Sequence, residues 1–273
     1  MIEGNGWVVD DQRPATSGYK EAKFDDAMQS IRNVLYYLTI NTTKQKLQIR
    51  FSGDLVAASG VGASAAQCTS LARALSDTFN LHLDDNQINK AAYEGEKAYH
   101  GTPSGIDNTA STFGGLIWFI KNLEGKENTI KLLSSPIKIP LVIGNTGITA
   151  STTEVVTDVR KLKNANPEKF KKIFNTYEDL AQKAKNALLN GNIEKIGSLM
   201  NQNHKLLQEI DVSGDLNDHL VEIALNNGAI GAKMTGTGRG GLIIAIAKNS
   251  LIQDQIYTSI TKEGFTAWKS TIG

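Results

Sequence analysis

The segment EGEKAYHGTPSGIDNTAS (94–111) gathers the residue types of acid–base and cation chemistry: Glu94, Glu96, His100 and Asp107. On a helix turning about 100° per residue, an apolar stripe runs through Ile88, Ala92, Gly95 and Tyr99. Glu96 then falls on the flank of the stripe, about 80° from its centre, and Glu94 farther round toward solvent. Gly101, Pro103 and Gly105 shape a turn that presents Asp107 at the start of the next element. Two carboxylates, Glu96 and Asp107, can therefore meet at one helix edge. Each residue also fits a plain structural role: a solvated helix-edge Glu96, a surface or capping His100, and an Asp107 that caps a helix before Asn108.

A second kind of chemistry is written in SGVGASAA (59–66). Gly60 and Gly62 let backbone N–H groups converge with no Cβ in the way, and Ser64 opens a helix whose first N–H groups have no intrahelical partner. That is an anion site in waiting. A strand-to-helix turn that binds nothing fits the same residues. A further glycine-rich turn, TGTGRGG (235–241), follows far downstream.

Both turns need strands and helices to hold them. LQIRF (47–51) alternates Leu47, Ile49 and Phe51 with polar partners, and Ala65, Cys68, Ala72, Leu75 and Phe79 recur at helical spacing after the first turn. Asp84 or Asp85 caps the next helix. FGGLIWFI (113–120) and IKIPLVIG (137–144) read as strands. Ser151 and Glu154 form a capping-box signature, and Asn166-Pro167 sets a cap and an N1 proline before Phe170, Ile173, Tyr177, Leu180, Ala184 and Leu188. Several helices follow in series. AIGAKMTG and GLIIAIA then flank the second glycine turn as a hairpin-like pair, with a helix near 250–262 and a last strand near 265–271. The pattern is α+β, with a domain boundary expected near 145.

Composition excludes several classes. With 29 Lys+Arg against 28 Asp+Glu the net charge is +1, so no global field favours nucleic acid or an anionic membrane. At 40% hydrophobic and 21% charged the chain is an ordinary globular sequence. The single Cys68 cannot form an internal disulfide and reads as a buried thiol. The start, MIEGNGWVVDD, shows no basic n-region or apolar h-region, and runs such as GLIIAIA are too short to span a bilayer. A cytoplasmic protein is expected.

SGVGASAA, EKAYHGTPSGIDNTASTFGG and KMTGTGRGG, in that order and spacing, resemble the second motif, the metal-and-base segment and the third motif of the GHMP small-molecule kinases. The likeness runs from about residue 47 to the C-terminus, includes NTGITASTTEVV (145–156), and points to the mevalonate kinase branch. It implies an N-terminal domain like the second domain of ribosomal protein S5 (1–145) and a ferredoxin-like C-terminal domain (146–273), with the nucleotide between the two glycine turns. Carried onto this chain, it makes Gly60 to Ala66 a phosphate loop, with Gly60, Val61, Gly62, Ala63, Ser64 and Ala65 around ATP. Ser64 and Glu96 become Mg²⁺ ligands, and Asp107 the residue that takes or orients the substrate hydroxyl proton. Gly236, Gly238 and Gly240 pack the third motif against nucleotide and substrate. The implied cofactors are ATP and Mg²⁺ and the implied partner is a small alcohol, mevalonate being favoured. No nucleic acid or membrane is implied, and a homodimer is admitted.

Three departures qualify the likeness. The family's first motif, with Pro-Gly-Lys and a later His, is not found, so the resemblance implies a chain shortened at its start, an incomplete first-domain sheet and little or no activity of these residues alone. Arg239 stands where the family has glycine, and Ala63 takes the first serine place. Other alcohols of the family (galactose, homoserine, phosphomevalonate) and a catalytically impaired nucleotide-binding fragment are the alternatives.

Overall fold

The computed structural model describes residues 2–4, 6–15, 17–44, 46–55, 61–148 and 150–273. The chain divides into two compact units, Met1–Leu132 and Leu133–Gly273. The division falls ahead of residue 145 because the strand that ends there pairs only within the second unit.

The first unit opens with β1 (Ile2–Gly4) and β2 (Trp7–Asp11), followed by the short α1 (Tyr19–Ala22), α2 (Phe24–Tyr37) and β3 (Leu47–Phe51). Next come α3 (Ala63–Thr78), α4 (Asp85–His100), α5 (Ile106–Phe113) and a two-stranded sheet of β4 (Leu116–Ile120) and β5 (Thr129–Leu133). The larger sheet runs β1-β2-β3 among the described strands, with β1 antiparallel and β3 parallel to β2. Alternation aims Trp7, Val9, Ile49 and Phe51 at one face, where α2 and α3 cover them with Ile31, Val34, Leu71 and Leu75. The predicted strand at 113–120 begins only at Leu116, because Phe113 still belongs to α5 and Gly114 and Gly115, at φ 66° and 63°, end that helix first.

The second unit holds β6 (Ile139–Asn145), α6 (Thr152–Ala165), α7 (Pro167–Leu189), α8 (Ile193–Glu209) and α9 (Asp215–Asn226). β7 (Gly231–Thr235), β8 (Leu242–Ile246), α10 (Ser250–Lys262) and β9 (Thr266–Ile272) complete it. Its sheet is β7-β8-β6-β9 with every neighbouring pair antiparallel. Numbered within the unit this is the 2-3-1-4 order of a ferredoxin-like sheet. Both faces are covered: Val142, Met234, Ile243 and Ala245 pack with Leu220, Ile256 and Ile260, while Leu141 and Ile246 pack with Ala187 and Ile196. A strand buried on both faces cannot alternate apolar with polar, which is why β6 and β8 read as continuous apolar runs.

Candidate active site

In the first unit the site is built on three helices. Ser59 and Gly60 lie outside the described residues. Gly62, at φ 72°, is the N-cap of α3, and no side chain caps it. The first intrahelical bond is from Ala66 N–H to Gly62 O (2.9 Å), so the N–H groups of Ala63, Ser64 and Ala65 lack intrahelical partners. α4 differs: Asp84 accepts from Gln87 N–H and the Gln87 side chain answers it, a complete capping box. The donors of α3 are the ones left for an anion.

Glu96 differs from its expected place on a helix edge. It is only 1% exposed, turned in between α3 and α4. The cause is Gly95: a Cβ there would lie 2.7 Å from Cys68 Sγ and 2.9 Å from Val34 Cγ2, so its absence lets α4 settle against α2 and α3. The Glu96 carboxylate lies beside the Ser64 hydroxyl and sits 3.9 Å from Cys68 Sγ and 3.8 Å from His100 Nε2. Burial pushes its pKa up to about 7, with the Asp107 charge adding to the rise and the Ser64 hydroxyl opposing it. Burial, seconded by Glu96, pushes the Cys68 thiol up to about 12, so Cys68 stays protonated.

Asp107 stands in the first turn of α5 and is exposed. An ideal Cβ on Gly62 would lie 4.0 Å from the Asp107 Cβ, so the N-terminus of α3 faces it. α5 is tied down by its neighbours: Asn108 Nδ2 donates to Asn89 Oδ1 (2.6 Å), and Arg73 donates to Thr112 O and to Asp85 (both 2.8 Å). Ser64, Glu96 and Asp107 are thus brought together at one helix start. Glu94 pairs instead with Lys97 on the surface.

Sequence reasoning missed the wall beside Ser64. A cavity of about 610 Å³ is lined by Ser64, Gln67, Tyr99, Asp11, Arg13 and Lys20, among others. Gln67 Oε1 accepts from Arg13 (2.7 Å) and from the Tyr99 hydroxyl (3.1 Å), while Arg13 pairs with Asp11 at 2.7 Å. Burial raises the Tyr99 phenol above its ordinary value. The available signal was Gln67 on the apolar face of α3, a polar side chain where packing alone asks for none.

In the second unit, the turn 235–241 is braced from within. Gly236, Gly238, Gly240 and Gly241 all have positive φ, and a Cβ at Gly238 would lie 2.0 Å from the Val212 carbonyl oxygen, which admits only glycine. Asn217 holds Gly240 at both ends, donating to its oxygen and accepting from its N–H (2.8 Å each). Arg239, itself at φ 51°, reaches Asp158 Oδ2 and Asp211 Oδ2 at 2.8 Å, so its side chain ties the turn to α6 and to the α8–α9 connection.

Two family models match: the GHMP kinases N terminal domain over residues 27–115 and the GHMP kinases C terminal domain over 184–266. A mevalonate kinase of Thermococcus gammatolerans is 34% identical over 81% of this chain, and the chain spans 65% of that relative's length. One of Pyrococcus furiosus is 32% identical over 89% of the chain and 72% of the relative. Among solved structures, L. major mevalonate kinase in complex with R-mevalonate superposes with a TM-score of 0.90 at 40% identity, covering 97% of this chain and 82% of that one. Fold and family matches together define an α+β protein of two units of the small-molecule kinase class. The chain belongs to the GHMP kinase family, and these relatives carry the name mevalonate kinase.

Proposed function

We propose that the protein transfers the γ-phosphoryl group of ATP to the hydroxyl of mevalonate, giving 5-phosphomevalonate and ADP. The observation that carries this reading is the meeting of Ser64, Glu96 and Asp107 at the uncapped start of α3. The N–H groups of Ala63, Ser64 and Ala65 bind phosphate oxygens there; in the turn between β7 and β8 of the second unit the N–H groups of Arg239, Gly240 and Gly241 are bonded within the unit, and Gly236 and Gly238 are the positions we assign to the nucleotide phosphates.

Mg²⁺ suits the residues present. A buried carboxylate raised to about 7 favours a cation, and the Ser64 hydroxyl beside it is a second hard oxygen donor. Among the described residues no cluster of three or more His, Cys, Asp or Glu could hold a metal ion, so Ser64 and Glu96 would hold Mg²⁺ only together with oxygens of the bound nucleotide. The ion supplies charge neutralisation on the transferring phosphates. Asp107 takes or orients the proton of the attacking hydroxyl, and its position in the first turn of α5, against Gly62, puts that carboxylate beside the phosphate-binding helix end.

The cavity beside Ser64 carries both signs of charge, Arg13, Lys20 and Lys23 against Asp10, Asp11 and Glu21, so the choice of mevalonate among the family's alcohols rests on the relatives that carry that name. No helix among the described residues is long and apolar enough to cross a membrane, and we place the reaction in the cytoplasm, as a step of isoprenoid synthesis. Mg²⁺-dependent ADP release measured with mevalonate, phosphomevalonate, homoserine and galactose tests the reading. Mevalonate should give the highest kcat/KM, and preference for another alcohol would overturn the substrate assignment.

A further inference from the structure

β7 ends its sheet, yet its outer edge is not bare. On α8, Asn201 Nδ2 donates to Ile230 O (3.3 Å) and Asn201 Oδ1 accepts from the Ala232 N–H (2.9 Å). Three residues on, His204 Nδ1 accepts from the Met234 N–H (3.4 Å). The N–H groups at 232 and 234 are those an adjoining strand would take. Gly197, one turn before Asn201, makes the approach feasible: a Cβ there would lie 2.5 Å from Ile230 Cγ2, and one on Gly231 would lie 2.3 Å from the Gly197 oxygen. Positions 197, 201 and 204 share one helix face, and that face serves the edge of β7 as a substitute strand.

His204 is 6% exposed. Its Nε2 lies 3.2 Å from Asp218 Oδ1 of α9 without hydrogen-bond geometry, and that oxygen accepts from Ser213 Oγ (2.5 Å). The charged groups that face it are Asp218 and, from β7, Lys233. Because Nδ1 accepts from a backbone N–H, the ring is neutral with its proton on Nε2. A protonated ring would turn an N–H toward the Met234 N–H and lose that bond.

We infer that Asn201 and neutral His204 are positioning residues that hold β7, and with it the turn 235–241, in the form that receives nucleotide phosphates. The inference rests on the reading of that turn given under Proposed function. Burial and Lys233 oppose protonation of His204 and Asp218 favours it, with the net direction downward, so the brace persists below the ordinary histidine range.

Amide hydrogen exchange on the full chain tests this, with wild type, His204→Leu and His204→Asn, each with and without Mg²⁺ and the ATP analogue AMPPNP. In His204→Leu, exchange at Met234 and across 235–241 should accelerate by about tenfold, the scale of one lost buried hydrogen bond, and AMPPNP should bind correspondingly more weakly. β6 should keep its protection. His204→Asn, whose Oδ1 takes the place of Nδ1, should restore both. A folded His204→Leu with wild-type exchange, or His204→Asn no better than Leu, overturns the inference; so does faster exchange with unchanged AMPPNP affinity. If His204→Leu does not fold, wild type and His204→Asn are compared at about pH 4.5, well below the ordinary histidine range, and at about pH 7.5. Exchange normalised to the intrinsic rate should quicken at the lower pH in wild type alone, and an equal response in both overturns the inference. AMPPNP that fails to bind wild type contradicts the phosphate-site reading itself, and the exchange rates alone then decide the bracing.

Discussion

Ser64, in the first turn of α3, lies beside the carboxylate of Glu96, which is buried almost completely, and the Ser64 hydroxyl acts to lower that carboxyl's pKa. A buried carboxylate with a hydroxyl beside it and a second carboxylate, Asp107, close enough to raise its pKa is an arrangement that a cation would relieve.

Glu96→Gln keeps the shape of the side chain beside Ser64 while removing the charge. Titration of activity against free Mg²⁺ should show the half-saturating concentration rising by about tenfold or more, as expected for loss of a charged oxygen ligand. Unchanged Mg²⁺ dependence would remove Glu96 from the metal site.

Gly95→Ala should push α4 away from α3, because the added methyl meets Cys68 Sγ and Val34 Cγ2 inside contact distance. Overpacking costs roughly 1–3 kcal/mol and alanine returns up to about 1 in helix propensity, so a net loss of about 1–2 kcal/mol is expected in denaturant unfolding. The same variant should need more Mg²⁺. Unaltered stability would mean that Gly95 does not set the spacing between Ser64 and Glu96.

Lys233, on β7, is held down by burial, its pKa falling from 10.5 to about 8. A folded value below the unfolded one means that the unfolded chain binds the extra proton. This group's penalty is therefore fully present below pH 8 and is relieved as pH rises from about 8 to 10.5. Lys233→Met should remove a penalty on the order of 3 kcal/mol at pH 7, less what the Lys233 bond to the Met234 oxygen contributes. Melting temperatures between about pH 7 and about pH 10 check the sign. The wild type should gain over that range and the variant should not; a variant that gains equally contradicts the assignment.

Much of this was legible in the chain. LQIRF and the helix near 250–262 lie where alternation and helical period put them, as β3 and α10, because each buries one face against a single layer. β5 (Thr129–Leu133) gave no signal: only Ile130 and Leu133 are even partly buried, so no alternating face is imprinted on it. At the site, Ser64, Glu96 and Asp107 could be picked out by residue type and turn chemistry, but the depth of Glu96 could not. That depth depends on a glycine in α4 meeting a cysteine in α3, a contact with no local trace. Arg13, Gln67 and Tyr99 were missed for the same reason, since their network joins residues from three separate stretches.

Phosphorus NMR of ATP, Mg²⁺ and R-mevalonate with wild type and with Asp107→Asn, followed over hours so that slow turnover registers, addresses the transfer itself. Wild type should produce a phosphomonoester in step with ADP and only when mevalonate is present. Asp107→Asn should slow it by about two to four decades, the range for a positioned acid–base group, with little change in the KM for ATP. Equal rates in the two proteins, or ATP consumed to inorganic phosphate with no phosphomonoester formed, would contradict phosphoryl transfer to mevalonate at the site of Ser64, Glu96 and Asp107.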